Sequence, residues 1–427
     1  MPAKKLVLIV VDGMTPAAFE RAVQGKRAPA LSFLAEHGSY RRGTSVFPSL
    51  TPVCLSSIAT GTGPAGHHIP HLVWWHRRER RIVEYGSSFA ALRAAGMTQA
   101  ITDTIYNMNQ HHLSRDVSTV YEAVDDAGLV SAAVNITCYR GRTRYVPTLP
   151  WVTKPAYGPR RFFYYGLFES DATGAPFAVR SRAAGSTDAY AAAVGRWLVT
   201  RDGFDFLAYY LSDFDYASHT HGPSGAEEVA LARVDAAIQS LLDAAGGGDE
   251  FLARYAVVLV SDHGQTIVDR STQLEAVLAR FAGEVVVCAS NRAAQVYLLP
   301  KARTDAAELA RALDGEPSVD VTLRLEGGEV VARRDGSDGP VTQLEHPDAA
   351  ERARSALMNP NAGELLISAS EGWEFADLGG RHHAGGGSHG SLVEGDSAVP
   401  VLTIGVDTPI ERITDITPAV LAHLHVF

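Results

Sequence analysis

Cysteine is scarce in this chain. Only Cys54, Cys138 and Cys288 occur among 427 residues, and so small and odd a set provides no disulfide framework. That usage suits a reducing compartment. The opening MPAKK is followed by an apolar run too short for the core of a signal peptide. We therefore expect a cytoplasmic protein.

Long hydrophobic runs and an excess of positive charge are also missing. No apolar run approaches the roughly 20 residues of a membrane-spanning helix, so we expect neither an integral membrane protein nor a membrane partner. The net charge of -10, with scattered Lys and Arg, argues against a nucleic-acid-binding face. The 46% hydrophobic content is enough for a large core, either in one large domain with insertions or in two domains.

The sequence does contain aspartate and histidine side chains at the ends of apolar strands. Asp12 ends LVLIVVDG, and Asp262 with His263 ends AVVLVSDHG. Asp215 and His219 follow FLAYYLSD in the same way. In an open α/β sheet, ligands bind at the carboxyl ends of parallel strands. The pattern predicts that these side chains meet at one edge of a mostly parallel central sheet.

Two further residues complete the predicted site. His389 lies in the glycine-rich segment RHHAGGGSHGSL. Thr51, in FPSLTPVC, is predicted to be the N-cap of a helix with Pro52 at its first position, where backbone donors favour an anion.

Carboxylate and imidazole ligands without cysteine favour zinc first and manganese second. Two divalent cations carry four positive charges and the three aspartates neutralise three, so the site stays attractive to phosphate. We predict a two-metal phosphoryl-transfer site in which a Thr51 alkoxide attacks phosphorus, and water then hydrolyses the phospho-threonine.

The remaining sequence predicts how the chain is organised. We expect a catalytic core in residues 1–290 and 381–427, with an aromatic-rich surface excursion at about 139–184 and an inserted α/β cap piece at 291–380. Residues 15–38 have helical apolar spacing. A long helix is expected after Pro223, started by a capping box of Ser224 and Glu227.

These motifs resemble those of the alkaline phosphatase superfamily, most closely its nucleotide pyrophosphatase/phosphodiesterase branch, which includes phosphonoacetate hydrolase. The pieces that carry the resemblance are VVDG, FPSLTP followed by IATG, DYASHTHGP, VSDHG and GSHG. The resemblance implies an α/β fold with a mostly parallel central sheet sandwiched by helices and with smaller inserted cap elements. It also implies the ligand sets, one zinc held by Asp12, Thr51, Asp262 and His263, and the other by Asp215, His219 and His389.

The chain departs from the family pattern beside the nucleophile. The phosphodiesterases have an asparagine downstream of it that helps bind a phosphoryl oxygen, and Leu72 stands at about that place here. His68 and His71 are the candidate donors nearby. Leu50 precedes Thr51 where a lysine is common.

The expected function is metal-dependent hydrolysis of phosphodiester or pyrophosphate bonds in a small phosphorylated or nucleotide-like substrate. A phosphomonoesterase or a phosphonoacetate-type phosphonate hydrolase on the same core is the alternative, and a non-catalytic metal-binding protein is a further one. The lack of Arg or Lys near Thr51 in sequence favours diesters. Asp213 competes with Asp215, and we interpret it as a supporting residue. His221 is interpreted as a surface residue, and His382 and His383 as residues at the mouth of the site.

Overall fold

The computed structural model describes residues 4–149, 152–170 and 186–427. The strands are β1 Lys5–Val11, β2 Ser39–Thr44, β3 Val73–His76, β4 Arg81–Glu84, β5 Ser131–Val134, β6 Thr143–Tyr145, β7 Ala156–Gly158, β8 Arg161–Tyr164, β9 Phe168–Glu169, β10 Phe206–Leu211, β11 Tyr255–Val260, β12 Thr266–Thr272, β13 Val285–Ser290, β14 Ala293–Leu298, β15 Val319–Glu326, β16 Glu329–Arg334, β17 Ser337–Pro340, β18 Leu365–Ala369, β19 Gly372–Phe375, β20 Gly386–Ser388 and β21 Ala398–Ile404.

The helices lie between these strands. They are α1 Pro16–Gln24, α2 Pro29–Glu36, α3 Thr51–Thr60, α4 Pro64–His67, α5 Phe89–Ala95, α6 Met97–Thr102, α7 Val120–Asp126, α8 Thr187–Thr200, α9 Asp213–Val229, α10 Leu231–Ala245, α11 Gly248–Arg254, α12 Leu274–Val277, α13 Ala306–Ala312, α14 Ala349–Leu357, α15 Glu394–Ser397 and α16 Ile416–His423. A π-helix covers Asp103–His112, and short 3-10 helices cover Ala279–Phe281, Val341–Gln343 and Ile413–Asp415. None of the helices in the described ranges combines the length and apolar character needed to cross a bilayer.

The central sheet has the strand order β2-β21-β11-β1-β10-β5-β8-β9. Its middle strands, from β11 to β8, run parallel, and β21, β2 and β9 pair antiparallel at the edges. Strands β10 and β11 are buried along their whole length, as expected when helices cover both faces of a parallel sheet. The predicted α/β fold with a mostly parallel central sheet is confirmed.

Side chains of β1 alternate between two hydrophobic cores, one on each face of the sheet. Val7, Ile9 and Val11 pack against α1, α2, α8 and α10. Leu6, Leu8 and Val10 pack in the core that contains α3, α7 and α16. The sheet is therefore a rigid platform, and the residues that leave its carboxyl edge are held by burial on both sides.

Two of the predicted helices differ in the structure. Residues 15–38 form two helices, α1 and α2, because the chain turns at Gly25 and Lys26 and restarts at Pro29, and proline is favoured in a first helical turn. The predicted capping box at Ser224 is wrong. The helical course is broken at Gly222, just before Pro223, but Glu227 forms ion pairs with Arg21 of α1 and Arg27 of the turn after it instead of capping the helix.

The aromatic-rich segment at about 139–184 differs in part from the expected surface excursion. Strand β8 pairs parallel with β5, and β9 pairs with β8, so both belong to the central sheet. Phe162, Phe163 and Phe168 are consequently buried. The stretch 171–185 lies outside the described residues.

A second, antiparallel sheet has the order β13-β14-β18-β15-β16-β17. It accounts for the α/β character expected of 291–380, although its first strand starts at Val285. The division of the chain into core and inserted piece stays a prediction. A small sheet, β19-β12-β20, contacts the antiparallel sheet through β19, and its strand β20 leads directly into His389.

Candidate active site

The first group of predicted ligands is assembled by two neighbouring parallel strands. Asp12 is the first residue after β1, and Asp262 and His263 follow β11, which pairs with β1. Their ligand atoms all lie within 4.8 Å of one another, and all three residues are buried. His263 Nε2 is 3.2 Å from Asp12 Oδ1 and 3.5 Å from Asp262 Oδ2. The structure brings this predicted set together.

The second group combines helix α9 with the residue after β20. Asp215 and His219 are one helical turn apart in α9, and Asp215 Oδ2 lies 3.2 Å from His219 Nε2. His389 Nε2 is 3.9 Å from Asp215 Oδ1. The rings of His263 and His389 stack at 3.6 Å between centroids, with an angle of 7° between their planes. The two groups are therefore adjacent, and one small substrate could contact both.

Each of the three imidazoles is oriented by a backbone carbonyl. Nδ1 donates from His219 to Gly387 O at 2.9 Å, from His263 to Gly264 O at 3.0 Å and from His389 to Ser49 O at 2.8 Å. A carbonyl can only accept a hydrogen bond, so each Nδ1 carries a proton, and Nε2 is the nitrogen left to bind a metal. This arrangement is typical of metal-binding histidines.

In the first group, one oxygen of each aspartate carboxylate lacks a hydrogen-bond partner within the described ranges. Asp12 Oδ1 and Asp262 Oδ2 are buried and accept no hydrogen bond from the described residues. Burial, with added repulsion from Asp262 and Asp215, raises the pKa of Asp12. Burial followed by repulsion from Asp215 raises the pKa of Asp262 to about 7. Unpartnered buried carboxylates are costly, and the oxygen and nitrogen donors around them fit a pair of divalent cations such as zinc or manganese.

Two residues that support the aspartates were missed by the sequence analysis. The Tyr210 hydroxyl donates to Asp12 Oδ2, and the Gln265 amide donates to Asp215 Oδ1. Tyr210 is opposite Val10 in the β1–β10 register, which puts it on the face of the sheet that Asp12 shares. Only the strand register indicates that Tyr210 lies next to Asp12, and the sequence does not reveal that register.

Thr51 starts helix α3 instead of capping it. Leu50 is the N-cap, and Thr51 and Pro52 are the first two helical residues. Thr51 Oγ1 lies 3.2 Å from His263 Nε2, so the hydroxyl contacts the first ligand group. The helix N-terminus behind it presents free backbone donors and the positive end of the helix dipole.

The competing residues lie outside the two groups. Asp213 Oδ1 accepts hydrogen bonds from the backbone and hydroxyl of Thr187, at 3.2 and 2.7 Å. His221 and His382 are exposed. His383 stacks on His219 at 4.0 Å between ring centroids and lines the cleft beside it. Of the two residues expected at the mouth, His383 is the one that reaches the cleft.

A cleft of about 450 Å³ opens over Thr51 and the second ligand group. Its other walls are mainly uncharged and include Leu72, Tyr85, Met108, Tyr216 and Asn291. No lysine or arginine is found among the described residues that line it. Leu72 lines the cleft, as its sequence position implied.

The expected donors next to Leu72 are not in the cleft lining. His71 is fully buried, and its Nε2 has no hydrogen-bond partner among the described residues. His68 has its carbonyl bonded to Asn361 and does not line the cleft either. The expectation that one of these histidines contacts the substrate therefore disagrees with the geometry.

Comparison with known proteins gives a consistent result. A family model described as type I phosphodiesterase / nucleotide pyrophosphatase matches residues 6–392. Among solved structures, phosphonoacetate hydrolase from Sinorhizobium meliloti, in complex with phosphonoformate, has a TM-score of 0.65 at 18% identity, covering 100% of this chain and 96% of that one. Murine ectonucleotide pyrophosphatase / phosphodiesterase 5 has a TM-score of 0.64 at 14% identity, covering 99% and 96%. At these identities the likeness shows the fold. A search of curated proteins found no match.

Proposed function

Because this chain belongs to the type I phosphodiesterase / nucleotide pyrophosphatase family, we propose that it hydrolyses phosphodiester or pyrophosphate bonds at a two-metal site, through a phosphorylated Thr51. One zinc is held by Asp12, Thr51, Asp262 and His263. The other is held by Asp215, His219 and His389, and manganese is the alternative metal for both positions. When bound, the cations lower the pKa of the attacking hydroxyl and neutralise charge on the phosphoryl group.

The protein's own residues account for the covalent steps. Thr51 Oγ1 forms a bond to phosphorus as the bond from phosphorus to the leaving oxygen breaks, and the hydroxyl proton is lost to solvent. The leaving alkoxide takes a proton from water. The oxygen of a water molecule then forms a bond to phosphorus as the bond from phosphorus to Thr51 Oγ1 breaks. Thr51 regains its proton from this water, and the phosphate leaves with the second ester group. The N-terminus of α3 favours the charge that develops on the phosphoryl oxygens at both steps.

The observation that favours a diester as the substrate is the uncharged lining of the cleft. A phosphate monoester brings a second negative charge, and phosphonoacetate brings a carboxylate, so each benefits from a cationic side chain at the site. The described lining has no Lys or Arg. Leu72, Tyr85 and Met108 instead offer apolar surface to an uncharged leaving group.

The test is turnover of three substrates by one preparation of known metal content. Protein reconstituted with zinc or with manganese is assayed on bis-p-nitrophenyl phosphate, p-nitrophenyl phosphate and phosphonoacetate. We expect the highest kcat/KM on the diester. A preference for the monoester or for phosphonoacetate would replace the proposal by the corresponding alternative. If the metal-loaded protein turns over none of the three, we would conclude that it is a non-catalytic metal-binding protein.

Thr51 is tested separately by trapping the intermediate. Acid quenching during turnover of bis-p-nitrophenyl phosphate, followed by mass spectrometry of the peptide that contains Thr51, is expected to reveal a p-nitrophenyl phosphoryl adduct. The adduct should be absent in Thr51→Ala. Turnover that survives in Thr51→Ala would refute the role of the hydroxyl.

We also propose the cytoplasm as the compartment. Cys54, Cys138 and Cys288 are all buried and free, which suits a reducing environment. Detection of the protein outside the cytoplasm in fractionated cells would contradict this proposal.

A further inference from the structure

Leu72 stands at about the place where the resemblance to the phosphodiesterases implies an asparagine. Leu72 lines the cleft, but its side chain can neither donate nor accept a hydrogen bond. Another asparagine, Asn291, lines the same cleft from the antiparallel sheet, more than 200 residues away in sequence. It is 5% exposed. The amide group that the chain lacks at position 72 is thus available from a different element.

The backbone around Asn291 is held against the ligand residues. Asn291 O accepts from Phe375 N at 2.7 Å, and the next residue, Arg292, donates its N–H to His389 O at 2.9 Å. The Arg292 side chain is fully buried and bonds to the buried carboxylate of Asp396 at 2.8 Å. The backbone hydrogen bond of Arg292 therefore holds Asn291 next to His389, a predicted metal ligand. The buried ion pair of Arg292 stabilises this arrangement.

The amide nitrogen of the Asn291 side chain is available as a hydrogen-bond donor. Its Oδ1 accepts from Ser290 Oγ at 2.9 Å, while its Nδ2 forms no hydrogen bond with the described part of the chain. The residue has a φ of 56°, in the left-handed region that asparagine tolerates better than most residues. Serine fixes one end of the amide, and the N–H groups of the other end remain for a ligand.

We propose that the Asn291 amide donates a hydrogen bond to a non-bridging phosphoryl oxygen of the substrate, in place of the missing asparagine at position 72. The proposal rests on the proposed hydrolase function. A neutral donor suits the single negative charge of a diester, because it stabilises charge that grows on the oxygen without requiring a second anionic group. Loss of one such preorganised donor typically costs a factor of about 100 to 1,000 in rate.

Two variants of Asn291 separate the amide from the backbone. Asn291→Gly removes the side chain and keeps the left-handed conformation without strain. Asn291→Asp keeps the shape and the bond from Ser290 but replaces the donor with a negative charge. Asp335→Gly is the matched control, since Asp335 is exposed in the turn between β16 and β17 and has a φ of 51°.

Two readouts are collected on protein with equal bound metal. We expect kcat/KM for bis-p-nitrophenyl phosphate to fall on the order of 100-fold in Asn291→Gly and further in Asn291→Asp, with no change in Asp335→Gly. The Kd of inorganic phosphate, measured by calorimetry, should rise at least about tenfold in Asn291→Asp. Values within twofold of the wild type in both readouts would overturn the proposal.

The phosphate measurement keeps this inference distinct from the proposed hydrolase. A wild type that binds phosphate but turns over no substrate would refute the hydrolase. In that case weaker phosphate binding by Asn291→Asp still supports the contact, and unchanged binding refutes it.

Discussion

Replacing Asp262 by asparagine should change the stability of the metal-free protein in a pH-dependent way. Asp262 is fully buried, and burial followed by repulsion from Asp215 raises its pKa from the ordinary 3.8 to about 7. Asparagine has nearly the same shape and its Oδ1 can still accept the bond that Gly13 N donates to Asp262 Oδ1. The substitution therefore removes chiefly the titrating charge.

The sign follows from the direction of the pKa shift. A carboxyl whose pKa is raised in the folded state stabilises that state fully below the unfolded pKa, and this contribution is lost as the pH rises through the folded pKa. For Asp262 the loss falls between about pH 4 and pH 7. Between pH 5 and pH 8 the wild type should lose about 3 kcal/mol relative to Asp262→Asn.

The assay is thermal unfolding with and without metal. An unfolding entropy of about 2.1 cal/mol/K per residue, over 427 residues, makes 1 kcal/mol worth about 1 °C in Tm. In chelator, Asp262→Asn should therefore gain about 3 °C on the wild type between pH 5 and pH 8. With zinc at about 1,000 times its Kd the wild type gains about 4 kcal/mol, so zinc should remove most of the advantage of Asp262→Asn at pH 8.

Two results would refute this reasoning. One is a Tm difference in chelator that does not change with pH, which would mean that Asp262 titrates normally in the folded protein. The other is an equal gain from zinc in both proteins, which would mean that Asp262 is not a ligand. The difference between the two proteins cancels the pH dependence of buried groups that do not interact with Asp262. The pKa of Asp12, which repulsion from Asp262 raises, should fall in Asp262→Asn.

Three further predictions concern the nucleophile, the support of the metal site and the core. Thr51→Ala should lower kcat at least about 1,000-fold with unchanged metal content, while Thr51→Ser keeps measurable turnover; equal loss in both, with normal folding, would contradict attack by the hydroxyl. Tyr210→Phe removes the hydrogen bond to Asp12 and should weaken metal affinity about 10- to 100-fold in a chelator competition, whereas unchanged affinity would exclude a supporting role. Arg292→Leu leaves the buried Asp396 carboxylate without its ion pair, and we expect a loss of about 3–5 kcal/mol, seen as a Tm lower by about 4 °C; a drop below 1 °C would contradict it.

The proximity of most candidate ligand residues was predictable because local sequence marks them. Asp12 and Asp262 end runs of apolar residues that can only be buried strands, and parallel strands with buried faces end at a common edge. Asp215 and His219 carry the spacing of one helical turn. These signals are local, so they survive without knowledge of the fold. His389 was supplied by the resemblance and its glycine-rich segment.

Predictions were less successful where residues distant in sequence compete with local ones for the same contact. Ser224 and Glu227 have the spacing of a capping box, but Arg21 of α1 and Arg27 of the following turn form ion pairs with Glu227. Strand β8 was not recognised because its residues show no alternation, and only pairing with β5 explains why Phe162 and Phe163 are buried. In each case a contact distant in sequence outweighed the local preference.

The sequence by itself determined the fold class and the residue types at the candidate site, since apolar runs specify buried strands and the residues that follow them must lie at the sheet edge. Only the tertiary structure decided which further residues lie beside the candidate ligands and the cleft. Tyr210 reaches Asp12 through strand register, and Asn291 reaches the cleft through a sheet formed far along the chain. Such contacts depend on how separate elements pack, and no periodicity or spacing in the sequence encodes them.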